Sequence, residues 1–139
     1  MGLSKEQARL EERDSVQTAL PADLEALAAS ALGREGVIWS LEAGNDLNAN
    51  LVRFGAGRGV GEHVNDEVDV VFVGILGAGF VEVDGRRHAL EAGKLVFVPK
   101  GARRSTRGAS EDFAYLTVHE RRGPLHVGAK SEPEQTRRR

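Results

Sequence analysis

Four residues with chemically useful side chains alternate through a short stretch of the chain: His63, Asn65, Glu67 and Asp69. Side chains two apart in an extended chain point to the same side, so all four are expected to face one way. Imidazole nitrogen and carboxylate oxygen are donors that divalent transition metals accept. The same groups could move protons instead, because an imidazole titrates near neutral pH. Only one of the four is a histidine, which is few for a metal centre.

The stretch runs directly into VDVVFVGIL (68–76), a segment apolar on both faces. Six further β-rich runs surround it: VIWSLE (37–42), LNANLVRF (47–54), GFVEV (79–83), RRHAL (86–90), KLVFV (94–98) and DFAYLTVH (112–119). Seven such runs with turns every eight to twelve residues and no helical pattern between them indicate an antiparallel sandwich or barrel. Asp84-Gly85 between GFVEV and RRHAL is the strongest short hairpin signal. Ahead of the strands lies LPADLEALAASALG (20–33), in which Leu24, Leu27, Ala28, Ala31 and Leu32 form one apolar stripe. Pro21 suits its first helical position, Asp23 the N-terminal dipole and Gly33 its exit. The two-sided strand 68–76 needs cover on its second face, from this helix or from a second subunit.

A chain of 139 residues is expected to form one domain and to bury roughly 68–70% of its unfolded surface. Its parts divide at 1–35 (polar start and short helix), 36–124 (β-domain) and 125–139 (flexible tail). Net charge is −2, so no global bias favours nucleic acid or membrane. Cysteine is absent, which excludes disulfides, thiolate metal sites and a cysteine nucleophile. The charged start MGLSKEQARLEERD has no apolar core for a secretory signal, and Glu6 breaks the myristoylation pattern. No run approaches the roughly 20 apolar residues of a spanning helix, so a cytoplasmic protein is expected. GAGRGVG (55–61) has a dinucleotide-loop look without a surrounding βαβ unit and is read as a glycine-rich turn.

Residues 50–120 resemble the cupin superfamily, whose members share a double-stranded β-helix, or jelly-roll barrel. In the family's first motif a Gly is followed by five residues, His-x-His, a Glu and a later Gly. Here Gly57 and His63 match, Asn65 stands for the second His, Asp69 stands for the Glu, and Gly77 falls one residue late. In the second motif Gly93, Pro99 and Gly101 match in identity and spacing, while Arg104 replaces the His and Gly108 the Asn. The resemblance implies an all-β cupin barrel with a short N-terminal α-helix, commonly a homodimer. Carried over by position, the residues that would hold the metal are His63, Asn65, Asp69 and Arg104.

That set keeps one imidazole and one carboxylate. Neutral Asn is a weak ligand suited to hard cations. Arg has no acceptor and stays protonated, so it replaces a metal's charge rather than binding the metal. We therefore expect no cofactor, with a divalent ion at His63, Asn65 and Asp69 as the fallback. An Arg104–Asp69 pair is expected at the base of the barrel, because a guanidinium offers a carboxylate two parallel hydrogen bonds. The expected function is binding of a small polar or anionic molecule through His63, Asn65, Asp69 and Arg104. The alternative is a small enzyme: a metal-dependent dioxygenase or isomerase, or a metal-free acid–base catalyst using His63 and Asp69. A transcriptional regulator is disfavoured, because no helix-turn-helix is evident.

Each residue also has a plainer role open to it. His63 could be a hydrogen-bonded pocket histidine, Asn65 a turn former and Glu67 a rim residue. Arg104 could point outward beside Arg103 and Arg107. Arg86, Arg87 and His88 follow a tight turn and suit a solvated surface. His119 shares a face with Phe113 and Tyr115, making it either a pocket or an edge residue. Trp39 suits a core or dimer contact.

Overall fold

The computed structural model describes residues 18–121. The expected tail at 125–139 and the polar start lie outside the described residues. Helix α1 (Leu24–Ala29) is capped by Asp23, whose carboxylate accepts the Ala26 N–H at 3.1 Å. The helix therefore begins three residues after Pro21, and Asp23 is its cap rather than a residue of its first turn. The stripe is also shorter than the spacing predicts. Ala28 and Ala31 are buried, whereas Leu32 lies beyond the helix and is 78% exposed.

Nine strands follow: β1 (Gly36–Ser40), β2 (Leu47–Phe54), β3 (His63–Val64), β4 (Val70–Leu76), β5 (Ala78–Val83), β6 (Arg86–Glu91), β7 (Leu95–Val98), β8 (Arg103–Gly108) and β9 (Phe113–Glu120). The seven runs expected from sequence are all present, and β3 and β8 are additions. Every pairing between these strands is antiparallel. Sheet A has the order β1-β2-β9-β4-β7, and sheet B the order β3-β8-β5-β6. The chain crosses between the sheets after β2, β3, β4, β6, β7 and β8, so the two sheets close on one interior. The β5–β6 hairpin turns at Asp84 (φ 50°) and Gly85 (φ 85°). Two consecutive left-handed residues make the tight turn whose twist matches the strands.

The interior packs the inward residues of both sheets. Val52, Phe72, Phe113 and Tyr115 come from sheet A, and Val81 and Leu90 from sheet B. Tyr115 stacks at a tilt against Phe72 and Phe113, with centroids 5.6 and 5.2 Å away. Each such buried side chain contributes roughly 1.5–3 kcal/mol relative to exposure. A second apolar cluster lies on the outer face of sheet A. There α1 covers Leu51 and Ala114, with Trp39, Ile75 and Leu116 packed beside them. Trp39 is thus half-buried against this outer cluster. The helix covers one end of β4's outer face. At the other end Val71 and Val73 neighbour Phe97 and Leu95 of edge strand β7, which are 55% and 60% exposed. Among the described residues no helix is long and apolar enough to cross a membrane.

Candidate functional site

Strand β8 carries the sequence RRSTRG, which has no apolar alternation. It is held as a strand by its neighbours: Val81 and Val83 of β5 face Thr106 and Arg104, and His63 of β3 faces Arg104 from the other side. Its burial alternates strictly, with Arg104, Thr106 and Gly108 inside and Arg103 and Arg107 out. Arg104 therefore does not join its neighbours in an outward basic patch.

Arg104 is 2% exposed. Its Nε donates to Ala102 O at 2.9 Å and its Nη2 to Pro99 O at 3.0 Å. Both carbonyls belong to the turn between β7 and β8, whose bend needs Gly101 at φ 88°. Burial pulls the guanidinium pKa below its usual value, while the charges of Asp84 and Asp66 oppose that shift. Among the described residues no carboxylate forms an ion pair with Arg104.

The expected Arg104–Asp69 pair is not formed. Asp69 is exposed, and its Oδ1 accepts the Lys100 N–H at 2.8 Å from outside the barrel. The cause is local. The extended geometry that would align residues 63 to 69 stops at Val64, and β4 begins only at Val70. Between them Asn65 Oδ1 accepts the N–H groups of Glu67 (2.9 Å) and Val68 (3.3 Å), folding the chain into a side-chain-capped turn. The Asn65 carbonyl also accepts the Gly101 N–H at 2.7 Å. Asn65 is thus a turn former that also borders the cavity, and Asp69 lies outside the cavity lining. Glu67 is half-buried and lies outside the cavity lining. An acid–base pair of His63 and Asp69 loses its carboxylate for the same reason.

The cavity has a volume of about 120 Å³ and is bordered by His63, Asn65 and Arg104 on the β3–β8 side. His63 Nδ1 lies 2.9 Å from Gly61 O. A carbonyl can only accept, so Nδ1 carries a proton in this contact. The sheet A wall supplies residues that sequence reasoning did not assign to a site: Asn50, Tyr115 and Thr117, with Thr106 from sheet B. Tyr115 OH and Thr106 Oγ1 are 2.9 Å apart, a hydrogen bond that joins the two sheets. Thr106 Oγ1 also accepts the Val60 N–H at 3.2 Å. His119 borders the cavity too, with Nδ1 2.8 Å from Glu120 O. The signal for this wall was present in the parity of β9, where Phe113, Tyr115, Thr117 and His119 share the inner face.

Other sequence candidates stay outside. Arg87 pairs with Glu82 at 3.0 Å and lies 3.8 Å from the centre of the Phe80 ring, on the exposed outer face of sheet B. In the glycine-rich turn Arg58 pairs with Glu35 at 2.7 Å. The Glu35 carboxyl is held below its ordinary value, first by the Gly55 N–H and then by Arg58.

At the four positions that would hold a metal in the cupin pattern, the donors do not suit an ion. One is a guanidinium, one a carboxylate turned outside, and one an amide oxygen already accepting two backbone N–H groups. Among the described residues no three His, Asp or Glu side chains converge closely enough to share an ion.

Comparison with known proteins agrees with the architecture. KdgF from Halomonas sp. is similar at 20% identity, with 64% of this chain and 81% of that chain covered and a TM-score of 0.57. TT1209 from Thermus thermophilus is similar at 22% identity, with 74% and 98% covered and a TM-score of 0.61. BH2720 from Bacillus halodurans shares 14% identity over 76% and 83%, with a TM-score of 0.62. At these identities the likeness concerns the fold. No curated protein matches the sequence. Residues 50–119, half of the chain, match the family described as the cupin domain, and the protein belongs to the cupin family.

Proposed function

We propose that this cupin binds a small anionic molecule inside its barrel, with Arg104 supplying the charge that a metal ion supplies in metal-dependent cupins. The observation that carries the proposal is the buried Arg104 guanidinium, which borders the cavity without a carboxylate partner among the described residues. A buried charge is costly unless it is compensated. Two turn carbonyls compensate it in part, and an anion in the cavity would complete the task. His63 stands beside Arg104 across the β3–β8 ladder and supplies a hydrogen-bonding group next to the charge.

The test is thermal unfolding of the protein with and without acetate or inorganic phosphate at constant ionic strength. It is repeated on Arg104→Met, which keeps an unbranched stem as far as the Nε position and removes the charged guanidinium. A rise in melting temperature confined to the unsubstituted protein is expected. Equal shifts in both proteins, or no shift with any anion, would overturn the proposal.

A homodimer belongs to the same proposal. The exposed Leu95 and Phe97 continue the apolar outer face of sheet A beyond the reach of α1, and a second copy would cover them. A cytoplasmic location fits a sequence without cysteine.

A further inference from the structure

Resting on the anion-binding role just proposed, the geometry points to a narrower ligand class: a short monocarboxylate whose apolar chain carries a single carbonyl oxygen. The carboxylate end follows from the way Arg104 spends its hydrogens. A guanidinium presents five N–H groups in a planar fork. Nε and one hydrogen of Nη2 are committed to Ala102 O and Pro99 O. Nη1 and the second hydrogen of Nη2 remain as donors, and a guanidinium is suited to the two coplanar oxygens of a carboxylate. A phosphate would place further oxygens against walls that lack a second permanent cation. Among the described residues bordering the cavity, Arg104 is the sole Arg or Lys, and none is Asp or Glu. One permanent positive charge favours one negative charge on the ligand.

The apolar chain follows from the walls. Val52, Phe54, Val60, Val70 and Phe72 border the same space and suit an apolar chain, while Thr106 and Tyr115 among the polar residues there bond each other. A volume of about 120 Å³ accommodates a carboxylate with a few carbons.

The single carbonyl follows from Asn50. Its Oδ1 accepts the Ser40 hydroxyl at 2.6 Å, so the amide oxygen is committed and the N–H groups of its amide are the ones left to serve the cavity. A group that can only donate selects an acceptor, which a ketone oxygen is. Thr117 pairs with Asn50 across the β2–β9 ladder and adds a hydroxyl at the same level.

The experiment is isothermal titration with pentanoate, 2-oxopentanoate, 4-oxopentanoate, glutarate, galacturonate and inorganic phosphate. It is run on the unsubstituted protein, Arg104→Met and Asn50→Ala, each checked for a cooperative melt. Pentanoate and the oxo acids are expected to bind, at least one oxo acid about fivefold tighter than pentanoate, as one net hydrogen bond allows. Asn50→Ala is expected to erase that preference while pentanoate still binds, and Arg104→Met to abolish binding of all of them. Tighter Arg104-dependent binding of glutarate, galacturonate or phosphate would overturn this inference and leave the anion site standing. Equal binding of pentanoate and both oxo acids would overturn it as well. Binding that is indifferent to Arg104, or absent throughout, would overturn the anion site itself.

Discussion

The two sheets of the barrel do different work with the same alternation. In sheet A the inward residues of β2, β4 and β9 are largely apolar, and Val52, Phe72, Phe113 and Tyr115 belong to the main core. In sheet B the inward residues of β8 are Arg104, Thr106 and Gly108. A strand that carries a site gives up the apolar face that would have held it in place. Strand β8 is kept instead by its neighbours and by hydrogen bonds: Thr106 to Tyr115 and Val60, and Arg104 to the turn before it. Stability is therefore expected to be concentrated in sheet A, and the charge that binds the ligand on β8.

The largest effect should come from Phe113→Ala, where the ring is fully buried between the sheets. A loss of about 3–5 kcal/mol in chemical denaturation is expected. A loss below about 1 kcal/mol, the range of an ordinary surface substitution, would mean that sheet A does not hold the barrel. Thr106→Val keeps the shape of the side chain but strips Val60 N–H of its acceptor and Tyr115 of its hydroxyl partner. Denaturation should show a loss of roughly 1–3 kcal/mol, smaller than that for Phe113→Ala. The reverse order would contradict the division of labour between the sheets.

The same division explains what was legible in the sequence. Runs such as DFAYLTVH and VDVVFVGIL announce their strands because apolar residues recur at the strand period. RRSTRG announces nothing, since its inward residues are a cation, a hydroxyl and a glycine. Only the Pro99-x-Gly101 spacing of the family pattern placed Arg104 inside. The alternation of His63, Asn65, Glu67 and Asp69 misled for the opposite reason. It has the period of a strand, but Asn65 closes a turn on the backbone of Glu67 and Val68, and the parity is lost before Asp69. Thr117 was legible from the parity of β9, whereas Asn50 lay in an ordinary strand run, and only the pairing of β2 with β9 brings the two together.

A smaller effect tests the correction at Asp69. A double-mutant cycle between Arg104→Met and Asp69→Ala should give a coupling within about 0.5 kcal/mol, as expected of residues that share no partner. Several kcal/mol of coupling would restore the pair that the geometry excludes. The smallest effect is on the outer loop, where Glu35 accepts hydrogen bonds from Gly55 and Arg58. Its carboxyl is held low in the folded protein, so its contribution is present above the ordinary glutamate value of roughly 4.3 and fades as pH falls below it. Thermal melts of Glu35→Gln should lie below those of the unsubstituted protein near neutral pH and converge with them in acid. A gap that widened in acid would reverse the sign.

The central claim is that an arginine stands where a metal would sit. The most direct measurement is elemental analysis of untagged protein as purified, and again after incubation with Mn, Fe, Ni and Zn, for the unsubstituted protein and His63→Ala. The predicted result is far less than one metal per chain in every sample, with no change on losing His63. A near-stoichiometric metal that disappears in His63→Ala would contradict the account and return the barrel to metal chemistry.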